Sequence, residues 1–408
     1  MKILFFLCTI PMYCFYDGSI SIGGFGFMYS YLFGLLFIFL TFWHFLLHPD
    51  TDRAIFVGKA SAVLMFPYLF SIARSMSLWV FNLSQIRMIT RGLFFPVYQL
   101  IAIGVGASAV YCFGGKGIFY QFASMTVSYL ILAAYQAAQG GIGEFLYEYV
   151  VLLQSGATLT GPLMKEMEKA SLGHGFGLFL LYFLVTEGAR KRKLLLFLLT
   201  LPLFFMGYKR SALFGLLAAV AVSVFVGRIK EQKSQAVLAF SVALSAAGLL
   251  YIWSIFSGTL DALAEVVRID SMGRLEIYDT MKEYCSFSLG YLGKGLGFVS
   301  YMIGRGLIDV GYEFAGDIHN DMFRQFIELG MIGFCLWSLS YFVFRVKVLS
   351  KIDVWCGRFT LVCSIYCFVC YLTENMYYRF STNTVLAVGL LSYALARYES
   401  RRKEMGDE

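Results

Sequence analysis

The sequence predicts an all-α polytopic membrane protein, and three observations carry that fold class. Of 408 residues, 59% are hydrophobic and only 14% charged; mean hydropathy is +0.70; and long apolar runs alternate with short polar turns. Soluble domains carry roughly a quarter charged residues. A helix satisfies its own backbone hydrogen bonds in lipid, which makes it the form these runs can take. The short alternating segments of a transmembrane barrel are absent. The net charge of +7 places an excess of Lys and Arg on the cytoplasmic side and implies no nucleic acid. Nine cysteines fall mostly in apolar runs. Cys363, Cys367 and Cys370 share a helix face with no converging His or carboxylate, so packing is the reading preferred over a metal or disulfide framework.

Taken in order, the runs give about twelve spans. Ile3 to Tyr16 starts like a signal peptide but lacks a small-residue cleavage site, and reads as a short first span with its N-terminus inside. A Gly-rich turn, Asp17 to Gly26, leads to a second span, Phe27 to Leu47. His44 and His48 near its end have metal-ligand spacing, but without a third ligand the interfacial reading is preferred. The third span, Ala60 to Trp79, holds Pro67 and a deep Arg74; Arg87 and Arg91 follow on the outer side. Leu93 to Phe113 and Ile118 to Ala138 are joined by Gly114-Gly115-Lys116-Gly117. A long outer loop, about 139–173, carries a surface helix over Ile142 to Leu153. The sixth span runs from His174 to Glu187, and Arg190-Lys191-Arg192-Lys193 after it is the clearest cytoplasmic marker.

Leu194 to Gly207 crosses outward and Ala212 to Val226 returns. The turn between them, Tyr208-Lys209-Arg210-Ser211, breaks the positive-inside trend, either as an anion site or as snorkelling cations. A ninth span, Ala236 to Ser257, opens the largest outer loop, about 259–324. That loop has a helix over Met272 to Phe287 headed by Arg274. The glycines at 290, 293, 295 and 297 read as a flexible hinge, and Arg305 follows. Phe326 to Phe344, Phe359 to Leu372 and a last helix ending at Arg397, Arg401, Arg402 and Lys403 complete the chain. Between the last two lies a turn holding Glu374 and Arg379. Both termini are expected inside, and residues 1–408 form one integral membrane domain. Labelling from outside is expected to reach Cys285 and not Cys356.

The polar stretch from Gly316 to Gly333 includes Asp317, His319, Asn320, Asp321, Arg324 and Glu328 at the mouth of a membrane helix. Ionisable groups are costly there unless they bind something; a loop in interfacial water is the plainer reading. The outer side also collects Arg74, Arg87, Arg91, Arg210, Arg274, Arg305, Arg324 and Arg379, with His174 and His319. Arginine binds phosphate in a bidentate fork and stays charged beside lipid, so the set suits a lipid-linked diphosphate. His319 can take a proton from a sugar hydroxyl or orient it, tuned by Asp317 or Asp321. No aspartate-rich motif is visible, so neither metal nor cofactor is expected; arginines would carry the leaving-group charge.

His319-Asn320, followed after nine residues by Gly330 and after two more by Gly333, resembles the signature of the O-antigen ligase and polymerase superfamily. So do Lys209-Arg210-Ser211 in a tight outer turn, the Gly273-Arg274 head of a loop helix and the long loop before a late helix. The resemblance implies a GT-C-like, metal-independent glycosyltransferase of the bacterial inner membrane, acting at its outer face on undecaprenyl-diphosphate-linked oligosaccharide. Positions like Arg210 and Arg274 would bind the diphosphate and that of His319 would position or activate the acceptor, making these the catalytic set. Lys209, Asn320, Asp321, Arg305, Arg324 and His174 complete the expected substrate-binding residues. Expected partners are the lipid bilayer, a chain-length regulator and a flippase.

Two members of the family differ in acceptor. A polymerase extends the next lipid-linked repeat unit of O-antigen or capsule; a ligase transfers to lipid A core. The His-Asn signature leans to the ligase, whereas the wording around His319, the 41 Phe and 27 Tyr and the turn Thr373-Glu374-Asn375 lean to the polymerase, which is the reading taken. A transporter of the same lipids would want midplane charges and an internal repeat, and neither is visible.

Overall fold

The computed structural model describes residues 1–15, 19–22, 25–140, 143, 147, 172–187, 190–207, 209–227, 234–267, 273–306 and 318–406. In chain order these form α1 (Lys2–Cys14), β1 (Ser19–Ile22), β2 (Phe25–Met28), α2 (Tyr29–Leu47), α3 (Thr51–Phe81), α4 (Ile86–Phe113) and α5 (Gly117–Gly140). There follow α6 (Leu172–Val185), α7 (Arg190–Met206), α8 (Arg210–Gly227), α9 (Ser234–Phe256), α10 (Thr259–Val267), α11 (Arg274–Lys282) and α12 (Phe298–Gly304). The last are α13 (Asp321–Ser338), a π-helical turn (Leu339–Phe344), α14 (Arg345–Leu349), α15 (Val354–Tyr371) and α16 (Phe380–Gly406).

Among the described residues, seven helical segments are long and apolar enough to cross a membrane, and Lys2–Cys14 and Leu172–Val185 are shorter apolar helices. One of the seven, Ile86–Tyr135, contains α4 and most of α5, divided at the turn where Gly114 has φ +61°. The expected span over Ala60 to Trp79 is part of a longer helix, α3, whose 31 residues extend roughly 46 Å, beyond a hydrocarbon core of about 30 Å. The all-helical expectation needs one correction. Ser19-Ile20-Ser21-Ile22 alternates with period two, the strand pattern, and pairs antiparallel with β2 from Ser19 opposite Met28 to Ile22 opposite Phe25. Apart from Gly143 and Tyr147, the surface helix expected over Ile142 to Leu153 lies outside the described residues, as does Asp317.

The chain divides into two compact units: Met1–Ala62, Ile101–Val224 and Arg379–Glu408 form the first, and Val63–Leu100 with Phe225–Tyr378 the second. In the first unit, ion pairs tie together chain segments that the sequence assigns to one membrane side. Arg397 pairs with Glu187 at 2.8 Å, Arg402 with Asp52 at 2.7 Å and Arg53 with Glu399 at 3.6 Å. Such partly solvated pairs contribute at most about 1 kcal/mol each; their information is topological. A Cβ on Gly173 would strike the Gly207 carbonyl, so the glycines let the start of α6 touch the end of α7.

The second unit is built on α13 and α15, both buried along most of their length. Helix α13 breaks at Gly330, whose φ of 75° and ψ of 176° fit only glycine. The break is filled by the segment 291–297. Lys294 and Gly295 donate backbone N–H bonds to the carbonyls of Ile327 and Glu328 at 3.1 and 2.8 Å, and Met331 N–H reaches Tyr291 O at 3.0 Å. From the other side Trp79 Nε1 donates to Leu296 O at 3.0 Å, Asn82 Nδ2 to Gly293 O at 3.1 Å and Arg74 Nη2 to Leu292 O at 2.8 Å. Gly293, Gly295 and Gly297 all have positive φ, and a Cβ on Gly293 would lie 2.5 Å from Gly330 N. The expected hinge is therefore a tightly held segment, in which glycine supplies close backbone approach rather than flexibility. Gly333 leaves the room that Arg74 occupies, 3.4 Å from where its Cβ would be.

The loop helix expected over Met272 to Phe287 is confined to Arg274–Lys282, and the residues after it partly enclose Cys285. Burial pushes the Cys285 thiol up to about 12, with Lys294 and Lys282 pulling the other way. The thiolate is the reactive form, so outside labelling of Cys285 is expected to be slow at pH 7 and to rise about tenfold per pH unit up to pH 9. A fast reaction at pH 7 in a maleimide time course would show that this thiol is not enclosed.

Candidate active site

The site in the second unit is built at the head of α13. Asn320 is its N-cap: Oδ1 accepts the Phe323 N–H at 2.9 Å, while Nδ2 donates to the Tyr251 hydroxyl at 2.7 Å. The Tyr251 hydroxyl in turn donates a hydrogen bond to Leu372 O at 3.0 Å. Tyr278 is buried beside them, and burial raises its pKa, partly offset by the neighbouring Asn320, Arg274 charge and Tyr251. His319, just before the cap, is half-buried and has φ +49°, a left-handed conformation uncommon outside glycine. An N-cap is worth about 1 kcal/mol, of the order needed to hold such backbone strain. The histidine is thus preset by its neighbour.

Arg274 heads α11 behind Gly273 at φ +75°. Its guanidinium lies 3.9 Å from the Glu374 carboxylate, and both are partly exposed. The Asn320–Tyr251 hydrogen bonds thus form a polar network with Tyr278 and Arg274 beside it and His319 as the chain neighbour of Asn320. Sequence reading missed Tyr251, Tyr278 and Glu374 as members of this network. The two tyrosines look like ordinary aromatics of apolar or amphipathic helices, and Glu374 is 100 residues from Arg274 in the chain.

Asp321 and Arg324, like Asn320, are expected substrate-binding residues that are buried and bonded within the protein. Asp321 is fully buried, and its Oδ2 accepts the Tyr377 N–H at 2.6 Å, fixing the turn that carries Glu374. Arg324 is 1% exposed. It pairs with Glu328 at 3.6 Å, donates to Ser300 Oγ and lies 4.9 Å over the rings of Phe95 and Tyr378. Glu328 Oε1 in turn accepts the N–H groups of Gly297 at 3.0 Å and Val299 at 3.3 Å. The pair anchors the start of α12. Arg305 is exposed at the end of α12, 5.6 Å over the Tyr301 ring.

In the first unit the structure brings His174 to the Lys209-Arg210-Ser211 turn. His174 is buried, 3.4 Å through Nε2 from Ser211 Oγ. Lys209 is half-buried and Arg210, opening α8, is exposed. Among the described residues no three His, Cys, Asp or Glu side chains are close enough to share a metal ion.

A predominantly helical architecture with seven helical segments able to cross a membrane among the described residues is that of a polytopic membrane protein. Residues 194–338 match the protein-family model described as O-antigen ligase. That stretch contains Lys209, Arg210, Arg274, His319, Asn320, Gly330 and Gly333, whereas His174 precedes it. The match supports the O-antigen ligase/polymerase superfamily, whose members are glycosyltransferase-like enzymes, without separating one activity from the other. No curated protein matches the chain.

Proposed function

We propose that the protein is a polysaccharide polymerase, transferring an undecaprenyl-diphosphate-linked glycan onto the next lipid-linked repeat unit at the outer face of the bacterial inner membrane, with both termini cytoplasmic. The observation that supports this most is the placing of the Arg274 charge beside the buried polar cluster that includes Asn320, the helix cap next to His319. In the transfer, the bond from the anomeric carbon to the phosphate oxygen breaks and the acceptor hydroxyl oxygen takes its place. His319 receives or orients the hydroxyl proton, and the diphosphate leaves into the charge of Arg274. Arg274 shares its present partner only at 3.9 Å, a loose ion pair that a bidentate diphosphate contact can replace. A chain-length regulator and a flippase are the partners this reading calls for.

The family description favours a second reading, ligation to lipid A core. A strain lacking the gene separates the two. A surface ladder reduced to single repeat units, with no long lipid-linked chains, supports the polymerase. Long chains accumulating on undecaprenyl over a bare surface make it the ligase. Arg274→Lys is expected to raise the donor KM about tenfold, because Lys offers a point charge in place of a fork; an unchanged KM would leave Arg274 a structural residue.

A further inference from the structure

We propose that the corner between α3 and α4, with the arginines beside it, binds a second polyprenyl diphosphate, the acceptor of the transfer; this rests on the polymerase reading. Helix α3 ends in a Schellman turn: Ser84 N–H reaches Trp79 O at 2.9 Å and Leu83 N–H reaches Val80 O at 3.2 Å. The position that glycine usually fills in this motif is held by Leu83 at φ +49°. Leu83 is 90% exposed, and Val80, Phe81 and Ile86 around it are each at least 70% exposed. A strained leucine that packs on nothing in the described chain is suited to hydrocarbon from outside it.

Three arginines adjoin this apolar corner. Arg87 and Arg91 are four residues apart on α4, hence on one helix face, and both are exposed. Arg91 Nη1 donates to Ser300 O at 3.0 Å and would lie 2.9 Å from a Cβ on Gly304, whose neighbour is Arg305. The Tyr301 ring beneath Arg305 is fixed by its hydroxyl bond to Gln85. Among the described residues none of the three is in an ion pair. Neighbouring like charges repel, and a diphosphate on a polyprenyl chain offers the complement: an anion for the arginines and an apolar tail for the corner.

The location agrees with an acceptor. Phe323 of α13 meets Tyr278 of α11 edge-on at 5.7 Å, while the adjacent Arg324 bonds Ser300 of α12. Successive helix residues point about 100° apart, so the helix of Arg274 and the helix leading to Arg305 flank α13 on neighbouring faces. His319 stands at its head. A donor on the α11 side and an acceptor on the α12 side would meet there.

The test is titration of the purified full chain in phosphatidylcholine nanodiscs with undecaprenyl diphosphate, counting bound equivalents by native mass spectrometry. Wild type is expected to bind two. Arg87→Gln with Arg91→Gln weakens one of them at least about tenfold, and Arg274→Gln weakens the other. Arg87→Gln with Arg305→Gln, which keeps the Arg91 bond to Ser300, gives the same loss as the first pair and excludes a folding defect. A single equivalent in wild type, lost only in Arg274→Gln, overturns the acceptor site and leaves the proposed transfer standing. Displacement of the second equivalent by phosphatidylglycerol at equal phosphate also overturns it, as a general anionic-lipid surface. No binding at all overturns both.

Discussion

Replacing His319 with asparagine is expected to lower glycan extension by about 10²–10⁴-fold, the range for loss of a general acid–base group, while insertion and folding are unchanged. Asparagine tolerates the left-handed backbone, so the φ of +49° at this position is kept and only the imidazole is lost. Alanine would confound the two effects, since its Cβ disfavours that conformation. The neighbouring Asn320→Asp separates presetting from chemistry. It retains the cap to the Phe323 N–H but loses the donor to Tyr251, the two bonds that Asn320 makes at 2.9 and 2.7 Å. Extension is expected to fall in Asn320→Asp, but less than in His319→Asn. Repeat-unit ladders from membranes with matched protein levels make the comparison; normal chain length in His319→Asn would remove the histidine from the reaction.

The second large effect is on folding. Gly330→Ala places a Cβ against the Leu292 carbonyl, at a φ of 75°. Backbone strain of this kind costs about 1–3 kcal/mol before any collision, and displacing Leu292 breaks the seating of 291–297 on α13. We expect little folded protein to survive detergent extraction, or a midpoint of thermal unfolding lower by about 10 °C. Gly290→Ala, where a Cβ meets nothing within 4 Å, should behave as wild type. If the two variants melt together, the close approach at Gly330 is not what holds the segment.

These two residues show what a sequence can and cannot make visible. Gly330 and Gly333 stand out as a spaced pair, yet the partner of each, Leu292 and Arg74, comes from elsewhere in the chain, and no local pattern names it. For the same reason Gly293, Gly295 and Gly297 read as a hinge until the strands of backbone on either side are seen. Arg324 carried a local signal that deserved more weight. Glu328 lies four residues on, the spacing of a helix ion pair, and an arginine so partnered is as much a buried strut as a ligand. Asn320 before Asp321 is the usual wording of a helix start, yet the span is expected only from Phe326, and the helix begins at Asp321. The apolar runs announce most helices because lipid leaves the backbone no other way to be satisfied. Their lengths are less legible, because α3 extends well past the hydrocarbon and the polar residues at its start, Thr51, Asp52 and Arg53, belong to the same helix. The alternation in Ser19 to Ile22 is only four residues long, too short to stand out beside runs of twenty.

The central claim is transfer between two lipid-linked substrates, and reconstitution tests it most directly. Purified protein in phospholipid vesicles, given only the undecaprenyl-diphosphate-linked repeat unit, is predicted to build a ladder of longer lipid-linked glycans, and the His319→Asn protein is predicted to leave the repeat unit unchanged. A wild-type protein that leaves the repeat unit unextended, yet moves it onto added lipid A core, would contradict the account.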